Sequence, residues 1–118
     1  MKVIFIVAMV LALASFTDEN RLTGKWESPP SEKGNVTSVV FRPDLTFDGF
    51  VNKKLFVTGT YKLNSDTFSM VDNGCEGASG IYKLIFFHGE DSIRFKIIQD
   101  ACEGRMVGMS KVVLGRVK

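Results

Sequence analysis

The amino-acid sequence predicts an all-β domain: an eight-stranded antiparallel up-and-down (meander) barrel with one disulfide. Beyond residue 20, eight short apolar or alternating runs are separated at close spacing by turn-forming residues. No ten-residue stretch of this region has the 3.6-residue periodicity of a helix. Short connections make neighbouring strands antiparallel, and closing the meander removes the exposed edges that a sandwich would keep. We therefore favour a barrel over a sandwich.

The N-terminus has the pattern of an export signal. Lys2 supplies a positive charge, Val3–Leu13 is apolar, and Ala12-Leu13-Ala14 matches a small-x-small cleavage site. The alternatives are a buried strand or a membrane anchor, but this run falls short of the roughly 20 residues that span a bilayer as a helix. We expect a signal peptide at 1–14 and a single domain at 15–118. The mature protein is expected to be a monomer without a membrane anchor, either periplasmic or secreted.

The first four predicted strands are bounded by clear turn signals. Pro29–Asn35 contains two prolines and is predicted to be a loop, and Pro43-Asp44 is suited to a tight turn. Apolar and polar residues alternate along the third and fourth runs, as is typical of half-buried strands. The four strands are predicted at Leu22–Trp26, Val36–Arg42, Leu45–Val51 and Leu55–Leu63.

The stretch from Gly59 to Arg105 contains one unit twice. Each copy has Gly-x-Tyr-Lys-Leu, a turn, a second apolar run and Cys-Glu-Gly. The two copies complete strand four and add strands at Phe68–Val71, Gly80–Phe86 and Ile93–Ile98. The last run is less regular: we place the eighth strand at Arg105–Met109 and leave open whether Val112–Val117 continues it past a bulge.

The two cysteines end successive hairpins at matching positions. Behind an export signal, Cys75 and Cys102 indicate a disulfide. A metal site or a free thiol pair is the alternative, but His88 is the only histidine. Four acidic residues lie near the cysteines in sequence and would share one rim if the disulfide forms: Asp72, Glu76, Asp100 and Glu103. They are either solvated turn residues or calcium ligands, and the first is the simpler interpretation. We therefore predict no metal.

Composition excludes some classes of function. Removing Lys2 with the leader leaves 14 basic residues against 13 acidic ones, a net charge near zero. This argues against nucleic acid as the partner, because phosphate binding needs a clustered positive surface. No nucleophile has a base within reach in the sequence pattern, and no phosphate-binding glycine loop opens a helix. We expect neither an enzyme nor a cofactor.

The inward faces of the predicted strands are rich in large apolar groups. They either line a pocket or fill the interior, since an eight-stranded barrel is just wide enough for both. Two mid-strand glycines leave room or permit a sharp bend. The candidate ligand-binding residues are Phe47, Gly49, Gly59, Tyr61, Met70, Tyr82, Phe86 and Phe95.

Two motifs carry a family resemblance. Gly24-Lys25-Trp26 on the first strand resembles the Gly-x-Trp of the calycin superfamily, and Asp100-Ala101-Cys102-Glu103-Gly104-Arg105 is similar to a segment of short exported bacterial lipocalin-like proteins of unassigned function. The resemblance implies that Trp26 closes one end of the barrel beneath a basic side chain. Arg105 is the first candidate for that side chain and Arg116 the second. Avidins use several tryptophans around biotin, and this chain has one, so biotin is not predicted.

The lipocalin-like resemblance implies an exported binding protein that holds a small hydrophobic molecule inside the barrel. The alternative is a solid-core barrel that binds an extracytoplasmic protein, as an interaction or inhibitor module, through its rim loops. Those loops would be Glu27–Asn35 and Asn73–Gly80.

Overall fold

A computed structural model describes residues 18–118, and the predicted signal peptide lies outside the described residues. Within this range the strands form a closed antiparallel barrel in the order β1 to β8, which confirms the predicted fold class. A 3-10 turn at Asp18–Arg21 precedes the barrel, and one α-helix, α1, spans Glu103–Lys111. The strands are β1 Gly24–Glu27, β2 Thr37–Phe41, β3 Thr46–Val51, β4 Lys54–Asn64, β5 Thr67–Asp72, β6 Ser79–Phe87, β7 Ser92–Asp100 and β8 Val113–Arg116.

The up-and-down order divides the connections between two ends of the barrel. The β1–β2 loop, the β3–β4 turn, the β5–β6 loop and the β7–β8 connection with α1 lie at one end, called the open rim here. At this rim Asn52 fixes the β1–β2 loop, since its side chain accepts from the Val36 N–H and its own N–H donates to the Val36 carbonyl. The opposite end, with the N-terminal turn, is the closed end.

The closed end is built around a completely buried tryptophan. Trp26 donates through Nε1 to the Leu22 carbonyl at 2.8 Å, so its polar atom is satisfied. The Arg116 guanidinium lies 4.3 Å from the centroid of the Trp26 ring, a cation–π distance, and donates to the carbonyls of Arg21 and Thr23. The basic side chain over Trp26 is therefore Arg116, the second candidate, and the first choice of Arg105 is wrong.

Above this end, large side chains fill the lower half of the barrel. Tyr61 packs edge-on against Phe41, with ring centroids 4.9 Å apart, and lies nearly parallel to Phe68 at 6.1 Å. The Tyr61 hydroxyl donates to the Arg42 carbonyl, which satisfies it inside the core. Beneath these rings the packing continues with Leu22, Trp26, Leu63, Leu84 and Ile93.

The predicted eighth strand at Arg105–Met109 is wrong, because those residues belong to α1. The strand that closes the barrel, β8, follows it and pairs with β7 and β1. The sequence pattern does not predict this helix because none of its apolar residues is fully buried and two glycines interrupt it, so it has no apolar stripe. An acidic residue in its first turn and a basic one in its last, Glu103 and Lys111, are the signals that could have found it.

A β-bulge in strand β4 shifts the predicted inward face. The register passes from the pair Gly49–Val57 to the pair Phe50–Leu55, so Phe56 is the extra residue. Below the bulge the predicted alternation holds, and Tyr61 and Leu63 are buried. Above it Leu55 is 57% exposed, although simple alternation places it inside.

We predict that Trp26→Ala lowers the free energy of unfolding by roughly 3–5 kcal/mol, because it removes the largest buried side chain at the closed end. Urea unfolding followed by circular dichroism measures the change. Phe56→Ala is the matched control: that ring is 74% exposed, so we expect a loss of about 0.5 kcal/mol or less. Equal losses in both variants would contradict the closed-end role of Trp26.

Candidate ligand cavity at the open rim

The upper half of the barrel contains a cavity of about 650 Å³ that opens at the rim. Its floor consists of phenylalanine rings: Phe68 lies 5.9 Å from Phe41 and 5.1 Å from Phe95, centroid to centroid. These rings separate the cavity from the packed closed end. The volume falls within the range of about 300–1,000 Å³ that is usual for pockets that hold small molecules.

Half of the predicted lining residues lie on the cavity. Phe47, Gly49, Met70 and Phe95 line it. Val39, Phe41, Val57 and Phe68 line it as well, and so do residues of α1 within the predicted eighth strand. The other four candidates, Gly59, Tyr61, Tyr82 and Phe86, are not among the lining residues.

Tyr61, Tyr82 and Phe86 belong to the packed part of the structure. Tyr61 lies against the floor rings, and Phe86 lies under the Arg21 guanidinium, 4.2 Å from its ring centroid. Tyr82 is completely buried, with its ring edge-on to Phe95 and its hydroxyl bonded to Asp100. Alternation identified the inward face correctly, but it does not report how far along the barrel a residue lies.

The two mid-strand glycines have different roles. A Cβ at Gly59 would lie 2.1 Å from the Val71 carbonyl oxygen, so Gly59 permits the close approach of β4 to β5 and leaves no pocket space. A Cβ at Gly49 would lie 2.7 Å from Val57 Cγ1, on the cavity wall. Only Gly49 of the pair therefore shapes the cavity.

Helix α1 forms one side of the mouth. Gly104, Arg105, Gly108 and Met109 are spaced as one helix face and line the cavity. A Cβ built at Gly104 or Gly108 meets nothing within 4 Å, so these two positions leave open space beside the cavity. The helix packs beside β7, on the rim side of Val113, where the short strand β8 begins.

Across the mouth lies the tip of the β3–β4 hairpin. Asn52 and Lys53 both have positive φ angles, which is typical of a tight two-residue hairpin turn. The bulge presents Phe56 at the rim, where its ring lines the cavity while 74% of the residue is exposed. A large apolar side chain thus stands in solvent at the mouth.

A buried ionic cluster forms the polar end of this apolar cavity. Arg105 donates from Nε to Asp100 Oδ2 at 2.7 Å, and from Nη2 to Asp100 Oδ1 at 2.8 Å and to the Ala78 carbonyl at 3.0 Å. Its Nη1 lies 3.4 Å from Asp72 Oδ2. The side chain of Asp100 is fully buried, and those of Arg105 and Asp72 are each 6% exposed. Arg105 and Asp72 both line the cavity.

The cluster shifts the proton affinities of its members. Hydrogen bonds from Arg105, and further ones from the Tyr82 hydroxyl and the Cys102 N–H, hold the pKa of Asp100 at about 2. Burial, together with the neighbouring Asp100 carboxylate, raises the pKa of the Tyr82 hydroxyl above its usual value. The hydrogen bond to Asp100 is the main cause that raises the pKa of Arg105. Asp100 and Arg105 are therefore held in their ionised forms, whereas Tyr82 stays neutral.

The four acidic residues expected at one rim separate into two kinds. Asp72 and Asp100 pair with Arg105, whereas Glu76 and Glu103 are exposed. Within residues 18–118, histidine, cysteine and acidic side chains form no group of three or more that is arranged to hold a metal ion.

The predicted disulfide joins Cys75 and Cys102. It links the β5–β6 loop to the residue that precedes α1, and both cysteines line the cavity. The bond thereby fixes the start of α1 next to the ionic cluster.

Comparison of the sequence with protein-family models and with curated proteins gives no match. The described barrel is consistent with a lipocalin-like fold in strand number, direction and order. Of the helices in residues 18–118, none has both the length and the apolar character needed to cross a membrane.

We predict that Cys102→Ser lowers stability by roughly 3–4 kcal/mol, since it opens a loop with a sequence separation of 27 residues. Serine is a favourable residue before a helix, so the change leaves the start of α1 intact. The melting temperature under oxidising conditions measures the loss. Adding reductant to the parent protein should reproduce it, and an unchanged melting temperature would contradict the prediction.

We predict that acid destabilises the domain between about pH 4 and pH 2 through Asp100. Its pKa is about 2 in the folded protein against 3.8 normally, so the unfolded chain binds a proton first as pH falls. Stability of about 2 kcal/mol, present above pH 4, is lost through this window. Urea unfolding at several pH values measures the slope. Asp100→Asn should flatten it, and Asp66→Asn, an exposed control, should not.

Proposed function

We propose that this chain is an exported, lipocalin-like binding protein that carries a small hydrophobic molecule inside its barrel. The observation that carries the proposal is the cavity of about 650 Å³ at the open rim. Its floor and most of its wall are apolar side chains, which favour the transfer of an apolar molecule from water. The Gly-x-Trp motif and the arginine over Trp26 support a place in the calycin superfamily.

The disulfide and the N-terminal pattern support the export part of the proposal. Disulfides form and persist in oxidising compartments such as the periplasm or the extracellular space, and Cys75 is bonded to Cys102. The leader predicted at 1–14 provides the route to such a compartment.

The cavity also favours this proposal over a solid barrel that acts through its rim loops. A solid barrel would continue the packing of the closed end up to the rim. Here the packing stops at the phenylalanine floor, and on the mouth side α1 presents glycines to the cavity.

We predict that Gly108→Leu abolishes uptake of a neutral apolar fluorophore such as Nile red, because the new side chain extends into the open space beside Gly108. Leucine is also the better helix former, so the variant should keep its fold. Fluorescence titration measures binding, and circular dichroism verifies the fold.

Ser110→Leu is the matched control, since it adds the same side chain to the same helix at an exposed position that does not line the cavity. It should bind the fluorophore as the parent does. Equal uptake by the parent and Gly108→Leu would place the fluorophore outside the cavity, and no uptake by the parent would refute the proposed function.

A further inference from the structure

The ion pair between Arg105 and Asp72 leaves hydrogen-bonding capacity unused at the polar end of the cavity. The donors Nε and Nη2 of Arg105 are bonded to Asp100 and Ala78, but buried Nη1 makes no hydrogen bond with the described residues. It faces Asp72 Oδ2 at 3.4 Å, which is longer than a normal charge-assisted bond. A buried donor without a partner is costly, so a group that satisfies it gains free energy.

The formal charge of the cluster restricts what that group is. Arg105 contributes one positive charge, and Asp72 and Asp100 contribute one negative charge each, which leaves a net charge of −1. At the end of an apolar cavity this charge repels a carboxylate strongly, because the medium screens it poorly. An apolar molecule with an acidic end is therefore disfavoured.

Among small head groups, a hydroxyl matches both members of the pair. Its oxygen accepts from Arg105 Nη1 and its proton is donated to Asp72 Oδ2; because Nη1 is buried, the side chains around the pair must move apart to admit it. An ammonium is attracted by the net charge, but it only donates, so it leaves Nη1 unsatisfied and places a second cation beside the guanidinium. A carboxylate only accepts. Asp72 Oδ1 is already occupied by the Gly74 N–H at 2.9 Å, so Oδ2 is the acceptor that remains.

Resting on the function proposed above, we propose that the cavity selects an apolar molecule that ends in a hydroxyl group, with the hydroxyl bridging Asp72 and Arg105. The chain of the molecule then lies over the phenylalanine floor, and the glycine face of α1 provides the space for it.

Competition against bound Nile red tests the selection with four molecules of one chain length: decane, 1-decanol, decanoate and decylammonium, all at neutral pH. Two hydrogen bonds to charged partners, less the cost of removing the hydroxyl from water, correspond to roughly tenfold tighter binding of decanol than of decane. We expect decanoate to bind more weakly than decanol by at least about tenfold, since it is repelled as well.

Asp72→Asn tests the assignment to the cluster, since it changes the formal charge from −1 to zero and keeps the size of the side chain. The preference for decanol over decanoate should then shrink by roughly tenfold or more. Asp66→Asn, on the exposed turn at the closed end, should leave it unchanged. The ligand series on the parent protein tests the proposal even if Asp72→Asn fails to fold.

The outcomes separate this inference from the proposed function. If the parent takes up Nile red but binds decanoate, decylammonium or decane as tightly as decanol or more tightly, the hydroxyl selection is overturned. The carrier function is then still supported. A preference for decanol that Asp72→Asn leaves unchanged overturns the assignment to this cluster. Failure of the parent to take up any of these molecules refutes the carrier function and the inference with it.

Discussion

The barrel depends on a seam that is very short. Strands β1 and β8 have four residues each and share the pairs Trp26–Arg116 and Glu27–Gly115. So few ladder bonds hold the closure weakly, and the side chains of the first pair strengthen it: Trp26 is buried, and Arg116 covers it while binding two carbonyls near the N-terminal turn. The seam thus lies at the closed end, where Trp26 is completely buried.

The same short strands create the cavity. Strand β7 continues to Asp100, well beyond its pairing with β8 at Arg94, so the upper wall of the barrel lacks a full-length eighth strand. Helix α1 fills that position, but a helix with glycines on its inner face occupies less of the interior than a strand with large side chains. The phenylalanine floor thus marks the boundary between the part closed by strands and the part closed by the helix.

Much of this architecture follows from local patterns, and the remainder depends on tertiary context. Alternation and turn residues predicted seven of the strands and, apart from β4 above its bulge, their inward faces; the two cysteines at matching hairpin ends predicted the disulfide. The Cys-Glu-Gly repeat, however, takes two structures: Glu76 and Gly77 have positive φ angles in a turn, whereas Glu103 begins α1. The bulge at Phe56 and the choice between Arg105 and Arg116 depend on register across strands, which the sequence pattern does not encode.

The distribution of burial relates the fold to its proposed role. None of the apolar residues of α1 is fully buried, so little apolar surface holds the helix in place, and such segments are the ones that open at low free-energy cost. The disulfide at Cys102 and the bonds from Arg105 to Asp100 fix its N-terminal end, while the rest of the helix lies over the mouth. A carrier needs a mouth that admits its ligand and a core that stays closed. This chain separates the two requirements: the packed core ends at the floor, and the covalent bond restrains one end of the helix at the mouth.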